Sequence, residues 1–260
     1  MPSSAEKATR FAELHVAGDP VLLYNAWDAG SAKAIVEAGA SAIASSSWSV
    51  AEAQGFRDGE ELPLDVAEQI ICRIAAAVDV PVSADFEGGY SEDDAELADN
   101  AGRLFERGVI GINFDDRVVK GEGLYEVGRQ ADRIAAIRSA ADQFSLEVFI
   151  NARTDLFLGQ GRDPEATVDE AIQRAEAYAA AGASGFFIPG LEEEEALIGR
   201  ICQGQSLPVN VMVLGGTPTP SRLADLGVAR ISWGPLSYLN AMAGLRREAR
   251  EALSARSVNA

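Results

Sequence analysis

Apolar residues gather along this chain in eight short runs, at positions 21–24, 42–44, 80–84, 111–114, 147–150, 185–188, 209–213 and 230–233. Between them lie alanine-rich segments in which apolar residues return at helical spacing. Strand and helix alternating eight times predicts an α/β fold, a (β/α)8 TIM barrel, built as one domain over residues 1–260. An amphipathic N-terminal helix within 1–18 and a C-terminal helix over 237–254 frame it. The strongest helical stretches are 165–182 and 236–253, and the second ends in Arg246, Arg247 and Arg250, which suit the negative pole of a helix. Ser91-Glu-Asp-Asp and Gly161-Arg-Asp-Pro read as helix starts, and Glu192 to Glu195 as a first helical turn. The least regular stretches, 45–63, 116–128 and 156–164, each follow a strand. They are expected on the face where all parallel strands end and barrel chemistry is housed.

Composition narrows the class. With 260 residues, 47% of them apolar, the chain is the size of one barrel. No apolar stretch approaches the roughly 20 residues a bilayer requires, and the N-terminal segment lacks the apolar centre of a signal peptide, so a cytoplasmic location is expected. A net charge of −18 leaves no basic stripe for phosphates and argues against nucleic acid and anionic membranes as partners. It does not exclude a small anionic substrate, because a local arginine and a metal ion override the global field. Cys72 and Cys202 fall in predicted helices and are expected to be buried free thiols. The single histidine, His15, lies in the N-terminal helix away from the strand ends. That excludes a Ser–His or Cys–His nucleophile and a histidine metal site.

Charge at the strand ends suggests the chemistry. Asp85 and Glu87 follow the third run, Asp115 and Asp116 the fourth, and Arg153 the fifth. In a parallel barrel these side chains converge on one mouth. At strand geometry alternate residues point the same way, so Asp85 and Glu87 can face one ion, with Asp115 as a third carboxylate. Hard oxygen donors of this kind suit Mg2+, with Mn2+ also possible. The alternative is that these acids cap the following helices. The planar fork of Arg153 suits a substrate carboxylate, or a pairing with Asp155 or another mouth acid. Ser45, Ser46 and Ser47 offer hydroxyls and N–H groups to an anion, and Asn210 in the seventh run is assigned to substrate contact with them. Asp58, on the next loop, is placed to join the metal's water shell. Gly215-Gly-Thr offers a weak phosphate-cradle signal. No lysine ends a predicted strand, which disfavours a Schiff-base aldolase, and Lys120 lies beyond one, in a loop.

Ser46 with Ser49-Val50 and Gly55-Phe-Arg-Asp58, Ser83-Ala-Asp-Phe-Glu-Gly-Gly-Tyr90, Gly111-Ile-Asn-Phe-Asp-Asp116, Ala152-Arg-Thr-Asp155 and the helix end at 175–183 together resemble the isocitrate lyase/phosphoenolpyruvate mutase superfamily. The resemblance runs from about residue 22 to 245. It implies a Mg2+-dependent barrel that makes or breaks a C–C or P–C bond beside an enolate in small 2-oxo or 2-hydroxy acids. By carry-over, Asp85 binds Mg2+ directly, Glu87, Asp115 and Asp58 hold its waters, and Ser46 and Arg153 clamp the substrate carboxylate. The resemblance also implies a homo-oligomer, a tetramer or dimer, with the C-terminal helix exchanged between subunits.

Two departures bear on the reaction. The superfamily's isocitrate and methylisocitrate lyases carry Lys-Lys/Arg-Cys-Gly-His after the fourth strand, where this chain has neither cysteine nor histidine between Asp116 and Tyr125. Its phosphonomutases carry a longer loop with Lys and Asn and a histidine after the sixth strand, where this chain keeps Lys120 and reads Ile188-Pro-Gly. Loss of CO2 from, or hydrolytic cleavage of, an oxaloacetate-like acid asks less of the protein and is the favoured expectation. Mg2+ and Arg153 would serve as electron sink, with Lys120 or water returning the proton. Aldol cleavage of the methylisocitrate type with a replaced acid, phosphonomutase or phosphonopyruvate-hydrolase chemistry, and a non-catalytic 2-oxo acid binder remain alternatives.

Overall fold

In chain order the elements are α1 (Ser4–Glu13), β1 (Val21–Leu23), β2 (Asn25–Ala26), α2 (Ala29–Glu37), β3 (Ile43–Ser45), α3 (Ser47–Ala53), α4 (Leu64–Ala77), β4 (Val82–Asp85), α5 (Asp94–Glu106), β5 (Gly111–Asp115), α6 (Val127–Gln143), β6 (Phe149–Arg153), α7 (Pro164–Ala180), β7 (Gly185–Phe187), α8 (Glu195–Gly204), β8 (Val209–Met212), α9 (Pro220–Asp225), β9 (Arg230–Ser232) and α10 (Leu236–Ser254). This computed structural model describes residues 2–118, 120–158, 163–191 and 193–254. All strand pairs are parallel, in the order β1-β9-β8-β7-β6-β5-β4-β3-β2. β1 and β2 are two pieces of one extended run interrupted at Tyr24, one pairing with β9 and the other with β3. The two ends of the sheet are therefore the same strand, and the predicted (β/α)8 barrel closes.

Strand boundaries differ from the apolar runs for local reasons. β4 begins at Val82 because Pro81 has no N–H to give to a ladder. β6 runs on to Arg153, past the predicted 150, because polar side chains continue the strand into the barrel interior. There Arg230 of β9 donates to Asn113 Oδ1 of β5 at 3.0 Å, and Asn151 donates to Asn113 and Asn210 at 2.9 and 3.0 Å. β5 and β9 are not neighbours, so the first of these bonds crosses the lumen. An apolar window ends where the lumen turns polar.

Helix ends follow their caps. α1 occupies Ser4–Glu13 of the predicted 1–18, started by a Ser3–Glu6 capping box. Asp93 and Asp163 cap α5 and α7, while Gly161 and Arg162 lie outside the described residues. α7 stops short of Gly182, whose φ of 99° breaks the helix. Of the four glutamates at 192–195, Glu195 is in the first turn of α8, Glu194 is its N-cap, and Glu192 lies outside the described residues. Ile74, Leu97, Ile112, Ile134, Ile150, Phe186, Ile198 and Ile231 belong to the main buried core. A second cluster, Phe11, Leu23, Ala44, Ile110 and Phe149, closes the N-terminal end of the barrel as a floor. His15 belongs to that floor: it lies past the end of α1, buried, and stacks on Phe149 at 3.8 Å. Cys72 and Cys202 are free and half-buried, less enclosed than expected. No described helix is long and apolar enough to cross a membrane.

Candidate active site

β3, β4, β5 and β6 deliver the expected residues to one end of the barrel. Ser45 ends β3, and its hydroxyl accepts from the Asp85 N–H at 2.8 Å, locking β3 to β4. Ser47 opens α3; its N–H and hydroxyl both lie 2.9 Å from Asp85 Oδ2, and the hydroxyl is also 3.0 Å from Asp58 Oδ1. The loop that bears Asp58 is thus drawn over Asp85. Ser46 is buried and its Oγ accepts from the Ser49 N–H at 3.3 Å as the cap of α3. The serines were expected to offer their hydroxyls to an anion; Ser47 gives its hydroxyl to Asp85 and Asp58, while the Ser45 and Ser46 hydroxyls accept from the Asp85 and Ser49 N–H groups and keep their own O–H to donate.

Glu87 reaches the cluster by a route that strand alternation does not describe. β4 ends at Asp85, and Glu87 has φ of 52°, in the left-handed region, so it has left the pleat. Its backbone oxygen accepts from the Asp115 N–H at 2.8 Å. Its Oε2 accepts from the N–H groups of Gly59 and Glu60, both at 2.9 Å, and Tyr90 Oη lies 3.4 Å from Oε1. Asp115 and Arg153 sit side by side at paired positions of β5 and β6. Arg153 Nη1 is 3.3 Å from Asp115 Oδ2 and Nε donates to Asp155 Oδ1 at 2.6 Å, so the expected pairing with mouth acids is present.

Asp116 and Asn210 fall elsewhere, and Lys120 stands at the edge of the site. Asp116 turns inward, where it accepts from Tyr178 at 3.0 Å, Arg174 at 3.2 Å and the Asp155 N–H at 3.0 Å. It is an anchor of the wall and takes no part in the mouth. Asn210 is fully buried in the lumen, with its amide bonded to Asn151, Val211 O, Arg230 O and Ser232. That bonding leaves it inside the barrel instead of at a substrate. Lys120 stands on the outer loop with its side chain 72% exposed, its Nζ 4.0 Å from Glu60 Oε2. It flanks a cleft of about 110 Å3 lined with Glu60, Tyr90, Arg117 and Tyr125. In the Gly215-Gly-Thr turn the Glu193 carboxylate lies beside Gly216, which disfavours a phosphate there.

Electrostatics set the cluster apart. Burial, reinforced by the charges of Asp58 and Asp85, pushes the Glu87 carboxyl up to about 8. Burial also raises Asp115 well above the usual carboxylate range, against the pull of Arg153. Burial disfavours the charge of Arg153, yet Asp115 and Asp155 hold its pKa above the ordinary value. Asp85 Oδ1 and Asp115 Oδ1 are buried without a hydrogen-bond partner. Carboxylate oxygens in that state call for a cation or ordered water, so the donor set fits Mg2+. Among the described residues no group of three or more acids is arranged to hold a metal ion by itself, so an ion bound here would have to keep most of its waters.

Sequence reasoning missed Glu60, whose side chain is 5% exposed and whose Oε1 accepts from the Tyr90 N–H at 2.8 Å. It also missed the polar lumen of Asn113, Asn151 and Arg230. Glu60 had a signal in the acidic loop that follows Asp58; Arg230, inside an apolar run, had none.

An acid cluster and the half-buried Arg153 thus stand at the C-terminal mouth of a parallel barrel, the face where barrel enzymes place their active sites. The chain belongs to the phosphoenolpyruvate phosphomutase family, whose sequence profile matches residues 11–253; this enzyme superfamily holds lyases and mutases. A phosphonomutase-like protein from Burkholderia cenocepacia J2315 is 46% identical with a TM-score of 0.91, covering 94% of this chain and 99% of its own. An uncharacterized protein of Mycobacterium tuberculosis is 35% identical across 88% of this chain and 83% of its own length. The 2-methylisocitrate lyase of Bacillus subtilis is 28% identical across 93% and 79%. A phosphonopyruvate hydrolase solved with oxalate and Mg2+ shares the fold, with a TM-score of 0.83 at 21% identity, over 96% of this chain and 88% of that one.

Proposed function

We propose that this protein is a Mg2+-dependent carbon–carbon lyase that cleaves an oxaloacetate-like 2-oxo dicarboxylic acid by decarboxylation or hydrolysis. The observation that carries this reading is the pair of buried, partnerless carboxylate oxygens of Asp85 and Asp115 beside the guanidinium of Arg153. Asp85, oriented by Ser47, would hold the ion, with Asp58, Glu87 and Asp115 around its waters. When bound, Mg2+ or Mn2+ supplies Lewis acidity at the oxygen that becomes an enolate oxyanion, worth several kcal/mol at the transition state. Arg153, steadied by Asp115 and Asp155, orients the substrate carboxylate and adds fixed positive charge. In decarboxylation the C3–C4 bond breaks, CO2 leaves and the enolate carbon C3 must be protonated; in hydrolysis water adds at C2, the C2–C3 bond breaks to leave oxalate, and the departing acetate carbon must be protonated. Lys120 or water returns that proton, since the loop between Asp116 and Tyr125 has neither cysteine nor histidine.

As partner we take a second copy of the chain, in a dimer or tetramer, and no nucleic acid or membrane; the location we take as cytoplasmic. α10 supports the oligomer: of its 19 residues only Ser237 is buried, while Leu239, Leu245 and Leu253 are exposed. An apolar groove of about 880 Å3 runs along the outside of the barrel, lined by Leu22, Tyr24, Trp27, Ile35 and Trp233.

The test is turnover with Mg2+ of oxaloacetate, methylisocitrate, isocitrate, dimethylmalate and phosphonopyruvate, with Asp85→Ala as control. Oxaloacetate cleavage that is lost in Asp85→Ala and on chelation, and restored by Mg2+ or Mn2+, is the expected result. Cleavage of a 2-hydroxy acid or of phosphonopyruvate alone would move the assignment to aldol or P–C chemistry. Mg2+-dependent oxalate binding without any turnover would leave a binder.

A further inference from the structure

The position of Glu87 depends on a loop whose backbone resists it. Glu87, Gly89 and Tyr90 have φ of 52°, 82° and 63°, so three of the four residues from 87 to 90 are left-handed, and two of them carry side chains. L-residues rarely adopt that conformation unless their surroundings impose it. Here the carbonyls of the loop are fixed one by one. Glu87 O accepts from the Asp115 N–H at 2.8 Å and Gly89 O from the Asn100 amide at 3.0 Å. Gly88 O and Ser91 O both accept from one side chain, Arg133 of α6, at 2.5 and 3.0 Å.

Arg133 is 1% exposed and, among the described residues, has no carboxylate within ion-pair distance. Its guanidinium lies 4.5 Å from the ring centre of Tyr125, on the loop that carries Lys120, and 5.2 Å from that of Phe114. A buried charge that gives its hydrogen bonds to two carbonyls of one loop is placed to shape that loop. We infer that Arg133 is a positioning residue: by gripping Gly88 O and Ser91 O under the Tyr125 ring, it holds Glu87 turned toward Gly59 and Glu60 and so completes the cation site. This rests on the metal reading given above.

Arg138 supplies the comparison. It lies on the same helix and also donates to backbone carbonyls, those of Gly182 at 3.0 Å and Val148 at 2.8 Å, but at the N-terminal end of β6, away from the mouth. Full-length Arg133→Met and Arg138→Met would be compared by urea unfolding, by Mn2+ binding followed in the EPR signal of the free ion, and by hydrogen exchange. Both variants are expected to lose stability. Arg133→Met should weaken Mn2+ binding by about tenfold or more, the usual effect of losing a group that orients a ligand, and speed exchange at 87–91. Arg138→Met should bind as the unaltered protein does. Equal Mn2+ affinity in Arg133→Met and the unaltered protein overturns the inference. If Arg133→Met does not fold, Arg133→Lys, which can keep one of the two carbonyl bonds, should give an intermediate affinity, and unchanged affinity again overturns it. No Mn2+ binding by the unaltered protein removes the metal reading. In that event faster exchange confined to 87–91 in Arg133→Met still supports the loop role, and unchanged exchange refutes it.

Discussion

Acidification should weaken this barrel through its single histidine, and the size of the effect can be worked out. His15 Nδ1 lies 2.7 Å from Phe11 O, so the proton sits on Nδ1, while Nε2 is buried without a partner. Burial and the nearby charge of Arg230, opposed by the bond to Phe11 O, lower its pKa from 6.5 to about 3. Below pH 6.5 the unfolded chain takes up a proton that the folded one refuses, so this contribution to stability is lost as the pH falls toward the folded value of about 3. With those two values the loss between pH 7 and pH 5 is about 2 kcal/mol. Many carboxylates titrate over the same range, so the quantity to measure is a difference. His15→Phe keeps a ring against Phe149 and removes the ionisation. Urea unfolding of both proteins at pH 7 and pH 5 should show the unaltered chain losing about 2 kcal/mol relative to the variant. A chain with one histidine also gives one imidazole signal, and NMR should find it neutral and not titrating between pH 5 and pH 8. An imidazole midpoint near 6.5, or the same pH dependence in both proteins, would refute the reasoning.

Gly185→Ala should test how tightly the floor meets the polar lumen. A Cβ there would stand 2.7 Å from Phe149 Cε1 and 2.8 Å from Asn151 Oδ1, and a loss of about 2 kcal/mol is expected in urea unfolding. An unchanged midpoint would mean that Phe149 yields without cost. Lys120→Ala should lower turnover by about 100-fold if the lysine returns the proton, with a much smaller effect on Mn2+ affinity, because the lysine meets the acid cluster only at Glu60, 4.0 Å from its Nζ. Undiminished turnover would assign the proton to water.

Much of the mouth was legible in the sequence because strand ends in a parallel barrel share one face. Asp85, Asp115 and Arg153 each close a strand, and the order of the runs was enough to bring them together. Glu87 was expected at the right place for the wrong reason. Strand alternation was extrapolated one step too far, and a left-handed turn held by partners on α5, α6 and β5 does the work instead. Asp116 stood next to Asp115 in the chain, but consecutive residues project to opposite sides, so one meets Arg153 and the other Arg174.

What the sequence by itself determined was periodicity: eight runs alternating with helices, a barrel, and the face that carries the acids. Those properties follow from local spacing, which the chain states directly. The tertiary structure alone decided which polar groups find partners. The Ser47 hydroxyl goes to Asp85, Asn210 and Arg230 go to the lumen, and Arg133 goes to the loop of Glu87, 45 residues from Gly88 in sequence. Such partnerships depend on distances between residues far apart along the chain, and a linear pattern of polar and apolar positions does not contain them.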